Sequence, residues 1–163
     1  RASIVAQVPR GSPSHQMRVG VLGVLETTGY ISRSLDDPEF VIEDPVAAVR
    51  REVERLRDTT DLIVVATHQD TTGAMALGSL DGVDVVIMAR LQKSADPPVQ
   101  MRDGFVVAWS SFEGRHVGRV SLSPGCSDEC IAGALVPLPE DMARDPAVVG
   151  LMERYRQTRL TAQ

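Results

Sequence analysis

The chain has 163 residues, of which 43% are hydrophobic and 24% charged, with a formal net charge of -5. That length holds one domain with a buried core rather than two comfortable ones, and the composition excludes wholesale disorder. The acidic balance argues against a nucleic-acid partner, which selects a basic face. No apolar run approaches the roughly 18–20 residues a helix needs to span a bilayer, so no membrane span is expected.

Aromatic residues make up only 4%, so Val, Leu, Ile, Ala and Met must build the core. No signal peptide opens the sequence, and it begins at Arg1 rather than Met, which reads as a processed product or a fragment. The first element of note is a lead-in. Residues 1–17 carry Pro9, Gly11, Ser12, Pro13 and Ser14 and read as irregular, with His15 exposed among them. Arg18 to Val24 (RVGVLGV) is a short apolar run, the pattern of a strand buried on both faces. Thr27 to Asp37 is polar and reads as a loop.

Asp44-Pro45 then starts a helix, with the carboxylate at the cap and proline in the first turn. Val46, Val49, Val53 and Leu56 recur at helical spacing on one side. Arg50, Arg51, Arg55 and Arg57 interleave with Glu52 and Glu54 on the other, a solvated face rather than a phosphate clamp.

Asp61 to Thr67 (DLIVVAT) is the second buried strand. Residues 71–80 read as a short helix with Met75, Leu77 and Leu80 as core contacts, and Val83 to Met88 (VDVVIM) is the third strand. This order predicts a parallel βαβαβ layer with right-handed crossovers. After Asp96, Pro97 and Pro98, the runs Phe105 to Ser110 and His116 to Leu122 flank a turn at Glu113-Gly114 and predict a β-hairpin. Trp109 and Phe112 are expected to cover the sheet, and His116 to lie on a solvent-open strand position.

Residues 123–163 form a Pro/Gly-rich linker. Asp145-Pro146 repeats the helix start, and Val148, Val149, Leu151, Met152 and Tyr155 predict an amphipathic helix through about Leu160. The linker holds the only two cysteines, Cys126 and Cys130, whose spacing is neither CxxC nor CxxCH. A local disulfide and two free thiols both remain open.

Open α/β sheets collect ligands at the carboxyl ends of their strands. Three segments qualify: Leu25 to Thr28, His68 to Thr72 and Ala89 to Lys93. His68, directly after a buried strand, is the best placed to reach a metal or a phosphate. Gly20 and Gly23 make no GxGxxG, so a dinucleotide fingerprint is not supported. Ser110, Ser111 and Ser121 lack triad partners at a usable spacing.

The motifs Val19-Gly20-Val21-Leu22-Gly23, Thr67-His68, Gly82-Val83-Asp84-Val85-Val86-Ile87 and Gly114-Arg115-His116-Val117-Gly118-Arg119-Val120 occur in this order. Together they resemble the second half of the catalytic domain of calcineurin-like metallophosphoesterases of the 5'-nucleotidase type. Pro137-Leu138 followed by Asp145-Pro146 and a helix is similar to the linker that leaves that domain. The resemblance spans roughly residues 18–160. It implies an α/β fold in which residues 18–122 form half of a metallophosphoesterase sandwich, followed by a C-terminal linker helix.

For function, the resemblance implies a two-metal phosphoester hydrolase using zinc or manganese, with a phosphate or nucleotide ligand. His68 matches a metal ligand of that family. Where the family has GGHSH, this sequence reads Met88-Ala89-Arg90-Leu91-Gln92. Arg90 replaces a ligating histidine, and a guanidinium offers no lone pair. Gln92 stands at a second ligand position, where an amide oxygen coordinates weakly. Arg90 is instead a candidate for anion binding. The DxH, bridging Asp and NHE segments of the family's first half have no counterpart in residues 1–17.

The expectation is therefore a portion of a nucleotidase-like domain without catalysis of its own, in which the metal is absent or weak. Its partner would be the missing N-terminal half or another chain of an assembly. The alternative is a non-catalytic binding or scaffolding module. A periplasmic or extracellular location is suggested by the relatives alone.

Overall fold

Apolar runs that have no polar side must be covered on two sides, and this places the three recognised strands in the middle of a sheet. The computed structural model describes residues 3–10, 12–26, 42–89, 99–102, 104–109, 115–122 and 131–161. Its elements run β1 (Ser3–Arg10), β2 (Ser12–Val24), α1 (Pro45–Leu56), β3 (Leu62–Thr67), α2 (Thr71–Gly78), β4 (Val85–Met88), β5 (Val99–Arg102), β6 (Phe105–Trp109), β7 (His116–Leu122), β8 (Ile131–Pro137) and α3 (Pro146–Thr161). Among the described residues, six strands form one mixed sheet in the order β1-β2-β3-β4-β6-β5, and β7 and β8 form a second, two-stranded sheet.

The parallel layer is the expected one. β2, β3 and β4 run parallel, with Leu22 beside Val65 and Val65 beside Val86, and β6 continues the parallel set beside β4. Both crossover helices start as the sequence predicts. The Asp44 carboxylate accepts from the Ala47 amide at 2.8 Å, with Pro45 opening α1. The Asp70 carboxylate accepts from the Gly73 amide at 2.9 Å at the start of α2. Each cap satisfies a helix-end donor that would otherwise lack a partner.

The core lies between these helices and one face of the sheet. Val49, Val53 and Leu56 of α1 and Ala74 and Leu77 of α2 pack with Leu22, Ile63, Val65, Val86, Met88, Phe105 and Val107, while Met75 and Leu80 pack partly buried at the margin. Each fully buried Val, Leu, Ile, Met or Phe among them contributes on the order of 1.5–3 kcal/mol of transfer free energy. Gly78 is required here. A Cβ on it would lie 2.0 Å from the Phe105 ring, so α2 can approach β6 only with no side chain at that position.

Three expectations need correction. The lead-in is not irregular: Ser3–Arg10 and Ser12–Val24 pair antiparallel, with Ile4 beside Val21 and Ala6 beside Val19, so β1 extends the sheet. The proposed hairpin of Phe105 to Ser110 with His116 to Leu122 does not form. β6 instead pairs antiparallel with β5, and β7 pairs with β8, which lies inside the stretch expected to be a linker. The reason is burial. Phe105, Val106, Val107 and Ala108 are all buried, so β6 needs cover on both faces and a neighbour on each edge. Finally, His116 is half-buried rather than solvent-open.

The β7–β8 sheet supplies part of the cover on the face away from the helices. Gly118 lies against the Trp109 carbonyl, and a Cβ on Gly133 would fall 2.2 Å from the Val99 side chain. Beneath it Val85, Val106 and Ala108 are buried. α3 forms where a helix is expected, with the Asp145 carboxylate accepting from the Ala147 amide at 2.8 Å, but the apolar face expected of it is not buried. Its Val148, Leu151, Met152 and Tyr155 remain exposed.

Candidate site at the carboxyl ends of the parallel strands

β2, β3 and β4 end side by side, with Val24 beside Thr67 and Thr67 beside Met88. The segments that leave these three strands therefore converge along one edge. Thr67 is buried, and its hydroxyl accepts from the Gln69 amide at 3.1 Å, which turns the chain sharply after β3. The Ala89 amide donates to the Thr67 carbonyl at 2.8 Å and ties the end of β4 to the same point. Asp70 is occupied as the cap of α2. This local bonding leaves His68 standing out from the end of the central strand, with 45% of its side chain exposed.

The His68 imidazole faces a carboxylate. Its Nδ1 lies 4.0 Å from Oε2 of Glu26, which follows β2 and is 25% exposed. Glu26 lies in the expected segment Leu25 to Thr28, yet no sequence motif singles it out. The signal available is the criterion that marks His68, a polar group at the end of an apolar run. Arg90 and Gln92, the other expected site residues, lie outside the described residues, as do Phe112, Cys126 and Cys130. Trp109 packs partly buried against the core, as expected for a residue that covers the sheet.

A pair of divalent ions about 3.5–4 Å apart demands a bridging carboxylate and several further His, Asp or Asn donors. The strand ends bring together one imidazole and one carboxylate, and no group of three His, Cys, Asp or Glu forms among the described residues. This donor set does not fit a two-metal centre. Arginines on α1 and at its end are engaged elsewhere: Arg51 pairs with Glu43, Arg55 with Glu52 at 2.6 Å and Arg57 with Asp81 at 3.4 Å.

Comparison with solved structures reaches the same fold. A Staphylococcus aureus protein assigned as a 5'-nucleotidase, solved with alpha-ketoglutarate, superposes with a TM-score of 0.59 at 17% identity, covering 94% of this chain and 33% of its own. The calcineurin-like phosphoesterase YfkN of Bacillus subtilis gives 0.67 at 13% identity, covering 98% of this chain and 58% of its own. The sulfate thiohydrolase SoxB of Thermus thermophilus, solved with glycerol, gives 0.63 at 16% identity, covering 94% and 28%. No family model matches the sequence, and no curated protein matches it by sequence.

At these identities the likeness is one of fold, and it bears out the α/β, calcineurin-like phosphoesterase architecture. It also takes in more than residues 18–160, since 94–98% of the chain superposes. The chain matches between 28% and 58% of the length of these proteins.

Proposed function

We propose that this chain is the scaffold portion of a 5'-nucleotidase-like metallophosphoesterase domain and does not hydrolyse phosphoesters by itself. The observation that supports this reading best is the environment of His68. It follows the central parallel strand, where the fold would present a metal ligand, but the group it faces is the Glu26 carboxylate at 4.0 Å. Arg90, two residues after β4 in sequence, adds to the argument by its chemistry, because a guanidinium carries the charge of a cation and offers it no lone pair. It suits an anionic phosphate instead.

The test is a titration with manganese and zinc, followed by an assay on a phosphodiester reporter such as bis-p-nitrophenyl phosphate. The expected result is no tight binding of two metal equivalents and no metal-dependent turnover. Two-equivalent binding, or turnover abolished by His68→Ala, would sink the reading.

A second reading is a non-catalytic binding or scaffolding module within a larger assembly. One observation favours it. Residues 19–24 of β2 and 62–66 of β3 are apolar on both sides, yet among the described residues of these stretches burial is fuller on the helix side. On the other side Ile87 of the neighbouring β4 is 42% exposed.

A further inference from the structure

We draw no further inference here: the strongest candidate, the surface patch on the face of the six-stranded sheet opposite the helices, where Ile4 and Ile87 stand exposed, carries nothing because nothing in the structure shows what covers it.

Discussion

The Ser3 hydroxyl donates a 2.8 Å hydrogen bond to Oε2 of Glu52, joining the outermost strand of the sheet to helix α1 across 49 positions of sequence. Arg55 completes the group, donating to the same carboxylate at 2.6 Å and also to the Ser3 hydroxyl. These partners, Arg55 first and Ser3 next, hold the Glu52 carboxyl below the usual glutamate range. The Glu52 side chain is only 14% exposed, so solvent screens the group less than it would a surface pair.

A depressed carboxyl pKa contributes stability that is present above the unfolded value of about 4.3 and disappears as pH falls through the lower folded value. Glu52→Gln should therefore cost about 1–2 kcal/mol at pH 7, toward the lower end of the roughly 1.5–3 kcal/mol of hydrogen bonds to charged groups, because the glutamine amide oxygen still accepts. The difference from wild type should shrink as the solution is taken below about pH 4. Urea unfolding at pH 7 and pH 3 reads both quantities.

A second prediction concerns α2 and β6. In an exposed helix Gly→Ala gains about 1 kcal/mol. At Gly78 the added methyl would lie 2.0 Å from Phe105, a ring only 2% exposed with nowhere to move. Overpacking should win, giving a net loss of about 1–2 kcal/mol. Phe105→Leu removes the obstructing ring atoms, so Gly78→Ala should cost less in that background than alone. A double-mutant cycle in urea, at constant denaturant slope, measures the coupling.

The parts of the fold legible in the sequence are those where one signal dominates. β3, β4 and the second half of β2 stand out because both faces are apolar, α1 and α3 because Asp44-Pro45 and Asp145-Pro146 open them, and α2 through Met75, Leu77 and Leu80. β1 carries an alternation broken only at Val5, with Ile4, Ala6 and Val8 against Ser3 and Gln7, and the Pro9-Gly11-Pro13 cluster next to it masks that signal. The partner of β6 is hidden in a similar way. Asp103-Gly104 is a strong hairpin dipeptide, and Gly104 has φ of +93°, but the short β5 before it carries too few apolar residues to stand out as a strand.

At the candidate site, His68 can be picked out because a histidine after a buried strand is rare. Glu26 cannot, because a glutamate at a strand end is commonplace until the register of β2 with β3 brings it to the imidazole.

Asp84 yields a prediction of opposite sign to that of Glu52. Its carboxylate accepts from the Ile63 amide at 2.7 Å, but partial loss of hydration around the carboxylate outweighs that bond and pushes its pKa above the usual aspartate value. The residue as a whole stays exposed, so solvent screening keeps the effect on stability small. A raised carboxyl pKa means the folded state disfavours the charge, so Asp84 is a penalty at neutral pH and none below about pH 3.9, where both states are protonated. Asp84→Asn keeps an acceptor for the Ile63 amide and removes the charge. Its thermal midpoint should exceed wild type at pH 7 and converge with it at pH 3. Asp84→Ala, which leaves the amide without that acceptor, should be less stable than Asp84→Asn at both values.

The last prediction concerns the residue that departs most from the resemblance. Arg90→His removes a fixed positive charge and supplies an imidazole, so if the missing histidine were the whole deficit, hydrolysis should appear. It should not. A two-metal centre acts through a bridging carboxylate and ligands from several strand ends that hold both ions at once, and among the described residues at this edge His68 meets only Glu26. Arg90→His should raise affinity for a single zinc ion by a modest factor, visible in calorimetric titration and lost again on adding His68→Ala. Turnover of bis-p-nitrophenyl phosphate with manganese or zinc should stay at the background of metal in buffer. Metal-dependent turnover by the Arg90→His protein would mean that this chain already holds the remaining ligands, and the scaffold reading would then give way to that of an enzyme disabled at one position.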